Sequence, residues 1–273
     1  MRKANLDIAS GTIAEHLSQF CEERPDYHRW ETKGGTGINT VIGEKPTVDI
    51  MDLFEAPQII FDTETTGLRP GRVIEIGAVV IDRQGNIVSE YETYVHQPRA
   101  VLYSPESEKA FQINNIDREA VLEHGVSEQE AGKTFSRWIR QARKVFGATS
   151  MRAYNQQFDF EKITGNPLDP ANHDGGDIDR GECIMMAAYR LMHAAGALSW
   201  GPTWKQQQAD RAGLDPNHIS RFKWPSASEA SAYFASKGYT LPDEVEHRAL
   251  PDARKESALA VAIQCEDLGY GPQ

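Results

Sequence analysis

The residues with the clearest chemical potential are Asp62, Glu64, Asp159, His247 and Asp252. Asp62-Thr63-Glu64 follows the apolar run Ile59-Ile60-Phe61, which places both carboxylates at the end of a buried strand. Residues two apart in a strand point to one face. Two carboxylates held there repel each other, and the repulsion is costly near an apolar core. A divalent cation between them removes the conflict. A bare Asp-x-Glu is weak evidence in a chain with 40 acidic residues, and the apolar run before it is what strengthens it. Thr65-Thr66-Gly67 comes next, a small polar turn whose backbone N–H groups can approach a phosphate or a sugar.

Asp159 lies just after an expected strand at Met151–Tyr154 and opens a helix beside the sheet. Taken alone, it reads as a helix N-terminal acid favoured by the dipole. The third group is His247-Arg248-Ala249-Leu250-Pro251-Asp252. Pro251 sits where a helix would start, so Asp252 falls in its first turn and His247 on the loop before it. A lone histidine is more often surface or core filler. A loop histidine ahead of a carboxylate can instead lean over a metal site and take a proton from the attacking water. Its near-neutral pKa suits that role.

The elements that must position these groups can be read from the pattern. PQIIFDTET and the alternating RVIEIGAVVID read as strands, joined by a stretch that includes the small turn. Arg83-Gln84-Gly85-Asn86 is a turn, and NIVSEYETYV is a third strand, so the three form an antiparallel meander. Ser104-Pro105-Glu106 starts a helix. Ser127-Glu128-Gln129-Glu130 reads as a capping box, and Ala131, Phe135, Trp138, Ile139, Ala142 and Phe146 follow at helical spacing. SMRAYNQ is a strand and FDFEKI opens a helix. Residues 164–180 read as a loop, and ECIMMAAYRLMHAA as a buried helix in which Met185, Met186 and Met192 fill the core. Residues 199–225 read as an irregular insertion in which Trp200 and Trp204 pack inward. Ser226 caps a helix over Ala227–Ser236, and Ala253–Cys265 is the last helix. Strands followed by alternating helices and strands give an α/β domain at residues 57–268, with a loop-rich insertion at about 164–225.

Residues 1–56 read as a separate N-terminal extension, with a helix near residues 6–23 and a short strand at residues 37–42. Lys33-Gly34-Gly35-Thr36-Gly37 lacks the ending of a phosphate loop and reads as a plain loop. Asp174-Gly175-Gly176-Asp177-Ile178-Asp179 does not match a calcium-binding register and reads as an acidic loop. The 273 residues suffice for one large domain that folds without metal or disulfide. Hydrophobic residues make up 40%, which excludes a disordered or fibrous chain. The cysteines Cys21, Cys183 and Cys265 form no C-x-x-C pair, so neither a disulfide framework nor a Cys-rich zinc site is expected. No apolar run reaches the roughly 20 residues of a membrane helix, and the N-terminus lacks a signal core. The expectation is a soluble protein of a reducing cytosol. The chain ends at Gln273, soon after the last expected helix, so no long C-terminal tether is expected.

The segments FDTETTG, YNQQFDFEKI and HRALPDARKESALA occur in the order of the three exonuclease motifs of the DEDD superfamily, which they resemble. The H-x-A-x-x-D-A form of the third resembles the DEDDh, or DnaQ-like, branch. That branch includes proofreading epsilon subunits, RNase T and Trex-type exonucleases. The resemblance covers about residues 57–268. It implies an RNase H-like exonuclease fold, a mixed central β-sheet flanked by helices. It implies that Asp62, Glu64, Asp159 and Asp252 bind two divalent cations, Asp62 bridging them, and that His247 is the general base. Two ions roughly 3.5–4 Å apart stabilise attacking and leaving oxygens, and an oxygen-only donor set favours Mg²⁺ or Mn²⁺. It further implies that Thr65, Thr66 and Gly67 contact the terminal nucleotide, that Leu68 wedges against its base, and that 5′-mononucleotides leave from the 3′ end of DNA or RNA.

The net charge of -11 opposes nucleic-acid binding and calls for local help. Arg137, Arg140, Arg143 and Lys144 share a helix but read as a solvated face. Arg221-Phe222-Lys223-Trp224 interleaves bases and aromatics, which suits stacking on single strands, with packing of the insertion equally weighted. Two other functions compete: a non-catalytic nucleic-acid-binding module, and an oligoribonuclease-like enzyme for very short oligonucleotides. The sequence leaves DNA against RNA, a protein partner and a homodimer open. The extension is the expected partner-binding or substrate-selecting element.

Overall fold

The computed structural model describes residues 52–68, 71–173, 178–242 and 247–272. The helix, strand and phosphate-loop readings within residues 1–51 lie outside them, as does most of the acidic loop at residues 174–177.

Five strands form one sheet: β1 (Gln58–Thr65), β2 (Val73–Ile81), β3 (Ile87–Tyr94), β4 (Ser150–Arg152) and β5 (Asp179–Arg180), in the order β3-β2-β1-β4-β5. The first three are antiparallel neighbours, as the meander predicts; β4 pairs parallel to β1, and β5 parallel to β4. The β2–β3 turn closes with Gly85 at φ 87°, a left-handed conformation that glycine adopts without strain. Ile59 and Phe61 enter one core layer, and Ile60 enters the other.

The Phe61 layer is covered by α4 (Glu128–Gln141). Its expected apolar stripe is buried: Ala131, Phe135, Trp138 and Ile139, with Ala142 in the π-helical turn that extends it. Phe135 and Trp138 stack at 6.1 Å and Tyr91 lies 5.2 Å from Phe135; such pairs add about 0.5–1.5 kcal/mol each beyond burial. Ser127 accepts the Glu130 N–H at 3.2 Å and caps this helix. Three further helices precede it: α1 (Arg99–Leu102), α2 (Pro105–Asn114), with Ser104 at its N-cap, and α3 (Arg118–His124).

The opposite layer is built by α6 (Ile184–Ala194), α8 (Ala227–Ser236) and α9 (Ala249–Leu268), with α5 (Gln156–Ile163) following β4. Met192 is buried and Met185 packs against this core, but Met186 is 41% exposed, because it lies on the opposite side of α6 from the buried Ile184 and Ala188. Within the insertion, Thr203–Arg211 forms a helix, α7, where the sequence reads as irregular. Trp200 and Trp204 are also not packed inward; each is 59% exposed. Trp200 stacks on Phe222 at the surface, and Trp204 stands in the first turn of α7, which turns Lys205 and Ala209 inward in its place. Leu53 and Phe54 sit in the core, and their N–H groups donate to Arg83 O. Cys183 and Cys265 are free thiols. No described helix is long and apolar enough to cross a membrane.

Candidate active site

Strand alternation puts Asp62 and Glu64 on the face that Ile60 shares, the face covered by α9. The close approach of α9 follows from one glycine. Gly77 lies opposite Asp62 in the β1–β2 register. A Cβ there would fall 2.1 Å from Leu250 N and 2.2 Å from Ala249 C. The first turn of α9 therefore rests on bare backbone, and Asp252 reaches the two strand acids. Asp62, Glu64 and Asp252 each offer a carboxylate oxygen within 4.8 Å of the others. An oxygen-only set of three converging carboxylates fits a hard divalent cation.

The entry to α9 is pinned from below. Glu75 pairs with Glu64 across the sheet and is fully buried. Its carboxylate accepts Arg248 Nε at 3.0 Å on each oxygen and the Ala249 N–H at 2.9 Å. Arg248 also donates to the Tyr94 hydroxyl at 2.7 Å. Its neighbour His247 stands at the edge, 59% exposed, with Nδ1 4.0 Å from Asp252 Oδ2.

Asp159 opens α5, as expected, and is buried. Its Oδ1 accepts the Thr63 N–H at 3.1 Å and the Thr63 hydroxyl at 2.7 Å. It thus flanks β1 beside the cluster of Asp62, Glu64 and Asp252 and is not itself within that converging set.

Glu256 is a further acid that the sequence reading missed. It lies one turn after Asp252, is 6% exposed, and accepts the Tyr154 N–H at 3.0 Å. The signal was available: an acid four residues on from Asp252, on the same helix face as the apolar Leu259 and Ala260.

The turn after β1 is also braced. Gly67, at φ 145°, lets the chain reverse. The Thr65 hydroxyl donates to Gly67 O at 2.9 Å, and Thr66 Oγ1 accepts the Arg72 N–H at 3.0 Å. Lys162, one turn beyond Asp159, donates to Gly67 O at 3.4 Å and Gly71 O at 3.3 Å. Leu68 is 78% exposed.

The electrostatics follow from this crowding. Burial raises Asp62 well above the usual carboxylate range, and Asp159, Glu256, Glu64 and Asp252 add to it. Glu64 is pushed up to about 8 by burial, then by Asp252 and Glu75, with the Asn114 side chain opposing. Burial pushes Asp159 up to about 7 against the Thr63 hydrogen bonds and Lys162. Glu256 is raised by burial, then by Asp159 and Asp252. A bound cation reverses this balance by favouring the ionised forms, so its binding displaces protons.

In the insertion, Phe222 packs on Trp200 and against His193. Lys223 pairs with Glu229 at 2.7 Å, and Trp224 is 51% exposed. The basic stretch of α4 continues into an open cavity of about 400 Å³ lined by Arg140, Arg143, Lys144 and residues 147–149. It sits beside the start of β4, which pairs with the beginning of β1, at the other end of that strand from Glu64.

Comparison with known proteins agrees with this geometry. Residues 59–195 match the RNase_T family model, described as exonuclease. The DNA polymerase III epsilon subunit of Treponema pallidum (strain Nichols) is 38% identical over 103 residues, covering 37% of this chain and 41% of that protein. Escherichia coli exonuclease I in complex with a dT13 oligonucleotide superposes with a TM-score of 0.52 at 18% identity, over 79% of this chain and 43% of that one. An apo exonuclease I gives a TM-score of 0.50 at 18% identity, over 78% and 42%. The matched segment spans less than half the length of each of these relatives. The mixed sheet flanked by helices is therefore the RNase H-like exonuclease fold, and the chain belongs to the DnaQ-like exonuclease family.

Proposed function

We propose that residues 57–268 form a catalytic unit that hydrolyses phosphodiester bonds from the 3′ end of DNA or RNA and releases 5′-mononucleotides. The observation that carries this reading is the convergence of Asp62, Glu64 and Asp252 within 4.8 Å, with His247 4.0 Å from Asp252. Asp62, Glu64 and Asp252 hold divalent cations, Mg²⁺ or Mn²⁺, and Asp159 completes the set for a second ion. When bound, such ions stabilise charge on the attacking and leaving oxygens. His247 takes the proton of the attacking water, and its exposed position at the edge of the acid cluster leaves its ring open to that water. The 65–68 turn receives the terminal nucleotide, its backbone held by Lys162, with the exposed Leu68 against the last base. Exonuclease I holding an oligonucleotide, and an epsilon subunit as sequence relative, support nucleic acid as the substrate.

The test is a gel assay with 3′- and 5′-labelled single-stranded DNA and RNA, comparing wild type with Asp62→Ala in Mg²⁺, Mn²⁺ and EDTA. Early, metal-dependent loss of the 3′ label that the variant abolishes is the expected result. Loss of the 5′ label first overturns the polarity, and no cleavage by wild type favours a binding module.

A further inference from the structure

Outside the segment matched by the family model, the insertion presents two indoles in a built arrangement. Ser199–Gly201 runs antiparallel to Arg221–Lys223: Gly201 N–H donates to Arg221 O at 2.8 Å, and Lys223 N–H to Ser199 O at 2.9 Å. Trp200 lies directly opposite Phe222 in this short ribbon. Their rings stack at 4.7 Å, 20° from parallel. Two residues on, Trp224 has the Lys205 ammonium 4.3 Å from its ring centre. That ammonium is itself held by Phe222 O at 2.7 Å. Each indole is thus backed by protein yet keeps more than half its surface exposed. An indole that served only to pin the insertion would be buried, since burial of its large apolar area is what stabilises.

The ribbon is tied to the acid cluster by Tyr154. Its hydroxyl donates to Pro225 O at 2.9 Å, and its N–H donates to Glu256 at 3.0 Å. Pro225, which follows Trp224 in the chain, is thereby linked through Tyr154 to Glu256, one of the acids that surround Asp62. The local cations are occupied: Arg221 pairs with Asp210 and Lys223 with Glu229, each at 2.7 Å. The surface accordingly offers π-faces more than positive charge. Base stacking suits such a surface, because every base has a π-face.

We infer that Trp200 and Trp224 form a stacking subsite for unpaired bases 5′ to the nucleotide being hydrolysed. The inference rests on the exonuclease reading for its polarity and deepens it: the substrate is a single strand that extends beyond its terminal nucleotides.

The test is fluorescence anisotropy with the full chain carrying Asp62→Ala to block hydrolysis, using 5′-labelled single-stranded 12-mer and dinucleotide in Mg²⁺. Trp200→Ala and Trp224→Ala are each expected to lower the affinity advantage of the 12-mer by about tenfold. Trp200→Phe and Trp224→Phe are expected to restore most of it, a rescue that loss of folding would not permit. An unchanged ratio in both alanine variants overturns the subsite. So does sedimentation in which the wild type self-associates, the alanine variants stay monomeric and nucleic-acid affinity is unchanged, since a second copy would then cover the indoles. If Asp62→Ala retains hydrolysis, the catalytic assignment fails, and the same 12-mer to dinucleotide ratio read in EDTA, where the probes stay intact, still decides the subsite.

Discussion

Arg248 and Glu75 form the anchor of the active-site helix: the guanidinium Nε lies 3.0 Å from both oxygens of a carboxylate that has no solvent exposure. The pair places His247 on one side of the anchor and Asp252 on the other. Arg248→Met leaves the Glu75 charge buried with only the Ala249 N–H. The expected loss is about 2–4 kcal/mol in urea unfolding, below the extreme for buried pairs because Arg248 is partly exposed. A loss under about 0.5 kcal/mol, within the ordinary scatter of surface changes, would mean the pair does not anchor the helix.

Gly77→Ala tests the approach of α9 to the sheet. The added methyl meets backbone atoms, which cannot rotate away. The helix must lift, moving Asp252 from Asp62 and Glu64. Expected outcomes are a loss of about 1–3 kcal/mol in thermal unfolding and nuclease activity close to that of Asp62→Ala. Wild-type activity would show that Asp252 need not approach this closely.

The crowded acids predict how stability depends on pH. Burial and like charge push Glu64 up to about 8 in the folded state, from an ordinary 4.5, and burial pushes Asp159 up to about 7, from 3.8. The folded state holds protons that the unfolded chain has released, so metal-free stability is greatest at low pH and is lost as pH rises from about 4.5 to 8. In EDTA the unfolding temperature should fall between pH 5 and pH 8.5. Glu64→Gln should flatten the slope, and Mn²⁺ should raise the temperature most at the alkaline end. A metal-free profile rising with pH would contradict the folded-state protonation of these groups.

Glu256→Gln keeps an acceptor for the Tyr154 N–H and removes one charge beside the acids. It should stabilise the metal-free protein at pH 8. It should also raise the Mn²⁺ concentration for half-maximal activity by about tenfold, in the manner of groups just outside a metal's ligands. An unchanged metal requirement, measured by titrating activity with Mn²⁺, would confine Glu256 to holding Tyr154.

The strand meander, the stripe of α4 and the three acid-bearing segments were legible because each is a local pattern. Alternation places Asp62 and Glu64 on one face whatever covers it, and Pro251 marks the start of α9 to within a few residues. The insertion was less legible. Its helix α7 has a weak apolar face, and nothing local distinguishes a tryptophan that packs from one that stays exposed. Glu256 carried a local signal, its place four residues after Asp252 on an apolar helix face, but its closeness to Asp62 and Asp159 is set by packing between segments far apart in the chain.

The sequence by itself determined which residues could do the chemistry and which local element carries each, since spacing and residue type act over a few positions. Only the tertiary structure decided which carboxylates converge. That depends on Gly77 admitting α9 against β2, on Glu75 gripping Arg248, and on Thr63 holding Asp159 to the flank. These are contacts between residues up to 174 positions apart, set by packing and desolvation and by no local periodicity.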